Sequence, residues 1–263
     1  MEMLVRFGAF AIVLALMASW ELWRPTRRLS MTRRRRWPIN LGLAAFNVLL
    51  MRLSIGAAAW LAANWVAEQQ IGLFNNLHLP YGLAIALSLL LLDLAIYVQH
   101  VAAHRWRWFW RLHQVHHSDL DFDTSTALRF HPLEILLSML YKTALVVALG
   151  APPVAVIAFE VILNGCALFN HGNVSLPPGL ERYCRYLLVT PDMHRIHHSA
   201  RPAETDSNYG FSLSWWDRLF RTYCRQPQQV QTEMRIGLNG FRDVGELSFM
   251  DLLAMPFRPL RKR

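Results

Sequence analysis

Residues 81–117 read YGLAIALSLLLLDLAIYVQHVAAHRWRWFWRLHQVHH, and two patterns meet inside them. From Tyr81 to Val101 the run is apolar except for Ser88, Asp93, Gln99 and His100. At about 1.5 Å per helical residue it is long enough to cross a bilayer. His100 and His104 then stand four apart, and His113, His116 and His117 stand at i, i+3 and i+4. That spacing places side chains on one helix face. A membrane span that runs into imidazole-bearing helix predicts an all-α integral membrane protein with a histidine-rich helical cap.

The second pattern recurs at His194, His197 and His198, and ten of the eleven histidines lie between residues 100 and 198. A lone histidine is ordinarily a packed or solvated side chain. No packing requirement asks for the same HxxHH spacing twice, so the three groups together predict a multi-histidine metal site.

Moving outward, further apolar runs cover residues 4–22, 39–66 (interrupted by Arg52), about 133–149 and 153–170. With 81–101 they predict four or five transmembrane helices, the last two short enough to form a re-entrant hairpin. Seven arginines fall within 24–36, whereas 67–80 contains no Lys or Arg. The positive-inside rule then puts the arginine cluster in the cytosol and brings every histidine group to that same side. The resulting division is a transmembrane hairpin with a basic loop over 1–80, a catalytic unit over 81–224 and a cytosolic tail over 225–263. Absence of a transit or retention signal and short loops favour a bacterial inner membrane.

Composition agrees. Of 263 residues 54% are hydrophobic and 17% charged, less charge than a soluble domain carries. The net charge of +9 would suit a nucleic-acid binder, but basic loops beside apolar spans account for it better. Cys166, Cys184 and Cys224 form no CxxC pair and imply neither a disulfide framework nor a thiolate site.

Eight histidines in three groups exceed the needs of one ion, and two ions with about four imidazoles each fit the number. Imidazole suits iron, zinc, copper and nickel alike. There is no HExxH, so the usual metalloprotease signature is missing, and no Glu-x-x-His pair of the soluble di-iron bundles.

The order HxxxH, HxxHH, HxxHH resembles that of the fatty acid hydroxylase/sterol desaturase superfamily of integral-membrane di-iron oxygenases. So do Leu128-Arg129-Phe130-His131-Pro132-Leu133-Glu134, Asn170-His171-Gly172-Asn173, Asn208-Tyr209-Gly210-Phe211 and Trp216-Asp217-Arg218-Leu219-Phe220. The likeness covers roughly residues 90 to 224. One departure is Arg221, where many members have glycine. The resemblance implies that His100, His104, His113, His116, His117, His194, His197 and His198 ligate two irons, with His171 as a ninth ligand. It also implies O2 as co-substrate and attack on a C–H bond of a fatty acyl lipid or sterol-like molecule, by hydroxylation or desaturation. The chain shows no flavin fingerprint, no cysteine set for an iron–sulfur cluster and no room for a fused haem domain, so a separate electron-donor protein is implied.

Three residues stay open at this stage. His131 is either a ligand or a group that supports one. Asp93, two turns before His100 on the same face, is a candidate to orient an imidazole or to pair with Arg52. His171 reads alternatively as a helix-end residue before the capping-type Gly172. Two other functions also compete: a zinc-dependent membrane hydrolase on the same ligands, and a non-enzymatic metal-binding or transport protein. The latter expects polar residues along the spans, which beyond Asp93, Arg52, Lys142 and Glu160 are few.

Overall fold

In the computed structural model, residues 2–55, 57–243 and 247–261 are described. The far ends of the first and last expected segments, Met1 and Lys262–Arg263, therefore lie outside the described residues. Among the described residues, five stretches are long and apolar enough to cross a membrane: Glu2–Trp23, Arg33–Asn76, Tyr81–Arg105, Pro132–Leu149 and Pro153–Asn170. No strand occurs among the described residues, where two isolated bridges, Leu188 to Leu213 and Ser199 to Ile236, are the only extended pairings. The protein is an all-α integral membrane protein.

The first, third, fourth and fifth stretches are single helices, here α1 (Glu2–Trp23), α5 (Tyr81–Arg105), α7 (Pro132–Leu149) and α8 (Pro153–Asn170). Proline at the first turn of α7 and α8 suits a position whose N–H has no helical acceptor. Gly150, at φ +69°, ends α7 in the left-handed conformation glycine tolerates. The expected second span, 39–66, is instead two helices, α2 (Arg33–Ser54) and α3 (Ala58–Gln69). The helix starts six residues earlier because its first two turns belong to the polar cap. Arg36 there is 1% exposed. Its Nε donates to Asp119 Oδ1 at 2.8 Å and its Nη1 to Asp123 Oδ2 at 2.6 Å. Asn40 donates to Ser125 and accepts from Arg129. The arginine run is thus not uniformly a loop: one of its members is the centre of a buried ion-pair network.

A short helix α4 (Leu73–Asn76) lies in the 67–80 connection. Gly72 meets the α7–α8 turn so closely that a Cβ there would lie 2.4 Å from the Gly150 Cα. The C-terminal ends of α3 and α7 therefore share one end of the bundle. The opposite end is the cap. It receives the C-termini of α5 and α8 and the N-terminus of α7, followed by α6 (Arg107–His117), a 3-10 turn at Thr124–Leu128, and α9 to α12 (Pro178–Cys184, Pro191–His197, Pro202–Thr205 and Trp215–Leu219).

Apolar packing holds the cap to the spans. Leu43 of α2 and Trp110 and Val115 of α6 cluster with Leu238, Phe241, Leu247, Leu252 and Met255. Met234 and Ile236 pack on Phe122 and Ile196. Met234, Ile236, Leu238, Phe241, Leu247, Leu252 and Met255 are therefore part of the cap's core, with α13 (Phe249–Ala254) against α2. Between the spans, Ala59, Ala63, Leu92, Ile96, Val146, Val156 and Phe159 form a second cluster. Small alanines on α3 let it approach α7 and α8, as small residues do between membrane helices.

Candidate metal centre

Helical spacing alone places the histidines. His100 and His104 stack one turn apart at the end of α5, and His113 and His117 do the same on α6. On α10, Thr190 caps the helix by accepting the Met193 N–H, and Pro191 sits in the first turn. Its last turn then carries His194 and His197, with His198 just past the end. His171 follows the final residue of α8. All nine are at most 4% exposed.

They sort into two groups. His100, His104, His113, His117 and His197 each offer a nitrogen, all within 4.8 Å of one another; His116, His171, His194 and His198 do likewise. Neither group corresponds to one sequence box. Both HxxHH motifs are split, His113 and His117 against His116, and His197 against His194 and His198.

Hydrogen bonds at the rim fix how the rings present themselves. His100 Nδ1 donates to the Tyr209 carbonyl at 2.7 Å, His197 Nδ1 to the Ser207 carbonyl at 2.7 Å, and His171 Nδ1 to the Ala167 carbonyl at 2.8 Å. His113 Nδ1 lies 2.6 Å from Glu134 Oε1 and His104 Nδ1 3.2 Å from Asp206 Oδ1. With Nδ1 protonated, Nε2 carries the lone pair. Yet His100 Nε2 faces His113 Nε2 at 3.1 Å, and His171 Nε2 faces both His116 Nε2 and His194 Nε2 at 3.1 Å. His100 and His113 thus oppose two bare lone pairs, which repel unless a cation lies between them. Ligands about 2.1 Å from a shared ion stand roughly 3.0 to 3.4 Å apart, so the spacing suits coordination. His117 Nε2, His197 Nε2 and both nitrogens of His198 are buried with no hydrogen-bond partner among the described residues. The residues present fit metal ions.

Electrostatics point the same way. Burial, reinforced by the neighbouring imidazoles, pushes His116, His117, His194 and His198 well below the usual histidine range. His171 is lowered to about 4 and His197 to about 3, again chiefly by burial. These imidazoles are neutral at physiological pH, the form that ligates metal. An aromatic sheath excludes water: Phe130 stacks on His116 at 4.3 Å, Phe122 on His171 at 5.6 Å, and Phe211 meets His100 edge-on at 5.8 Å.

Two sequence candidates sit elsewhere. His131 caps α7: its Nδ1 accepts the Leu133 N–H and its Nε2 donates to the Leu253 carbonyl at 3.2 Å. Both nitrogens are engaged away from the two groups, so it is not placed as a ligand. Asp93 touches no imidazole and is not paired with Arg52. Its Oδ2 accepts from Trp216 Nε1 at 2.8 Å and from the Leu213 N–H at 3.2 Å, tying the 208–219 segment to α5. Arg52 instead lies over the Phe7 ring.

The sequence assigned no role to the residues that orient the rings, although two of them lie within the stretches that carry the family resemblance. Glu134 is one; Asp217 is another. Asp217 accepts the Tyr209 and Gly210 N–H groups, each at 2.8 Å, and so holds the carbonyl that receives His100. A Cβ at position 210 would lie 2.8 Å from Asp217 Oδ2, which explains the glycine. Asn208 donates to the carbonyls of Met193 and Cys224, pinning the same loop to α10. Arg221 adopts φ +60°, so the loop keeps a glycine-like turn with a side chain in it. Such a turn strains a non-glycine residue by about 1 kcal/mol or more.

The fatty acid hydroxylase family profile matches residues 85–222. An ornithine lipid hydroxylase of Rhizobium tropici is 29% identical over 208 residues, covering 78% of this chain and 60% of the relative. An alkylglycerol monooxygenase of Danio rerio is 35% identical over 161 residues, 60% of this chain and 34% of the relative. A very-long-chain aldehyde decarbonylase of Oryza sativa subsp. indica is 29% identical over 272 residues, 94% and 40% respectively. The chain thus spans between about a third and three-fifths of the length of these relatives. No solved structure matches it.

Proposed function

This chain belongs to the fatty acid hydroxylase family, and from that premise we propose that it hydroxylates, or desaturates, a C–H bond of a membrane lipid with O2 at a pair of iron ions. The observation that carries this reading is the sorting of nine buried histidines into groups of five and four. His100, His104, His113, His117 and His197 would hold one ion, and His116, His171, His194 and His198 the other. When bound, the irons supply the activation of O2 that attack on an unactivated C–H bond requires.

The chain's own residues do the rest. Burial keeps His116, His117, His171, His194, His197 and His198 neutral, and the carbonyls of Tyr209, Ser207 and Ala167 turn His100, His197 and His171 so that Nε2 faces inward. Phe130, Phe122 and Phe211 keep water from the rings. Apolar spans lead directly to the site, which favours a substrate that arrives from the bilayer, an acyl lipid or sterol-like molecule. The names of two relatives, a lipid hydroxylase and an alkylglycerol monooxygenase, support oxygen insertion into a lipid. Inserting one oxygen atom and releasing the other as water consumes two electrons and two protons. The electrons come from a separate donor protein. Arg24 to Arg36 beside the cap favour a cytosolic placement of the site, in a bacterial inner membrane.

The test is turnover by the full chain in lipid nanodiscs, loaded with iron and supplied with a reductant, an electron-transfer protein and isotopically heavy O2. Heavy oxygen in a hydroxylated lipid, or O2- and iron-dependent loss of two lipid hydrogens, is expected, with neither in His197→Ala. Lipid cleavage without O2, supported by zinc, would replace this reading with hydrolysis.

A further inference from the structure

A site outside the histidine groups lies where α1 and α2 diverge. A cleft of about 410 Å3 opens there, its walls formed by Ala18 and Leu22 of α1 and by Trp37, Pro38 and Leu41 of α2. Leu22 is 69% exposed and Leu41 37%, so the cleft opens on the outer surface of the two helices. Its rim is basic, carrying Arg33 and Arg34. A second cleft, about 570 Å3, lies on the other side of Arg33 and includes Arg27 and Arg28. One guanidinium therefore stands between an apolar crevice and a basic one. That is the shape of an amphiphile with an anionic head.

The charge at this junction is not balanced from within. Arg36 is neutralised by Asp119 and Asp123. Arg33 has only a long contact, Nη2 to Glu21 Oε2 at 3.5 Å, and its Nε is buried without a hydrogen-bond partner among the described residues. The other Glu21 oxygen is taken by the N–H groups of Thr124 and Asn173. Arg34 is exposed and makes no ion pair among the described residues. A second copy of the chain is a poor occupant, because a two-fold pairing through this cleft would set the arginines of both copies against each other. A nucleic acid has no use for the apolar half. An anionic phospholipid satisfies both halves, burying an acyl chain and presenting a phosphate with several acceptors to guanidinium donors.

We propose that the cleft between α1 and α2 is a binding site for an anionic membrane phospholipid, its acyl chain between Leu22 and Leu41 and its phosphate at Arg33 and Arg34. The site is separate from the histidine groups and does not depend on the reaction assigned to them.

The experiment measures retention of fluorescent phosphatidylglycerol, against phosphatidylcholine, by the full chain in nanodiscs. Arg33→Gln/Arg34→Gln should weaken phosphatidylglycerol binding roughly thirty-fold and leave phosphatidylcholine unchanged. Ala18→Trp, which fills the crevice while keeping both charges, should also lose it. Arg35→Gln, an exposed arginine of the same turn outside the cleft, should bind like the unaltered chain. Bound-metal content and melting temperature, unchanged in all three, would show that each variant folds; a misfolded variant is replaced by Leu41→Trp. Equal loss in Arg35→Gln would mean diffuse surface charge, and displacement by millimolar inorganic phosphate would mean a soluble anion. Retention by both cleft variants would mean no site. Each of these results would overturn the proposal.

Discussion

At the scale of single residues, the imidazoles depend on neighbours that hold their outer nitrogens. Glu134 lies 2.6 Å from His113 Nδ1, fixing the ring's orientation and tautomer. Glu134→Gln should therefore weaken metal binding at the group of five by about 10- to 100-fold and spare the group of four. Chelator competition on the two ions separately measures this, and equal loss from both groups would argue against the assignment. A second expectation concerns pH. Burial holds His171 at about 4 and His197 at about 3, whereas an unfolded histidine titrates near 6.5. As pH falls from about 6.5 toward 4, the unfolded chain binds protons that the folded, metal-free protein does not. Stability is therefore lost on acidification through that window and is insensitive to these groups above it. Melting temperatures of the metal-free protein should fall accordingly, and less steeply in His171→Asn. What was legible at this scale followed local spacing. Eight imidazoles announced themselves because i, i+3 and i+4 repeat along helices, whereas His171, alone in the sequence, was indicated only by the family resemblance. Glu134, Asp206 and Asp217 did not, since each meets its partner through a contact that only the folded chain creates. His131 stayed open between ligand and supporting group because the sequence does not show the capping bond to Leu133 that turns it away from both groups.

At the scale of elements, the cap and spans are joined through α2. Arg36 binds Asp119 and Asp123 in a nearly water-free environment, and both carboxylates belong to the connection between α6 and α7. Removing one partner of a buried pair strands the other charges, at a cost of about 3 to 5 kcal/mol. Arg36→Ala should lower the melting temperature in detergent sharply, whereas the exposed Arg34→Ala should leave it nearly unchanged. Similar small effects in both would remove α2 from this role. The hydropathy pattern located five apolar stretches but misjudged the second. Arginines at a helix start look like a loop when charge is read without partners, and the partners here are over eighty residues away. The sequence read as no more than a tail beyond residue 225 for a similar reason. Its scattered Met234, Ile236, Phe241 and Leu252 show no period, and their burial becomes apparent only against α2, α6 and Ile196.

At the scale of the whole molecule, three helix ends deliver the site: the C-termini of α5 and α8 and the N-terminus of α7, all at one end of the bundle. The α6 and α10 boxes close over them, each divided between the two groups. This division makes a particular claim, because losing one histidine from a group should empty that group and not the other. The direct measurement is metal content of the gently purified full chain, with His197→Ala and His171→Ala beside it. About two ions per chain are expected, falling to about one in each variant, with the remaining ion in the group of four for His197→Ala and in the group of five for His171→Ala. A folded protein that binds a single ion, or none, or that keeps both ions in either variant, would contradict this division.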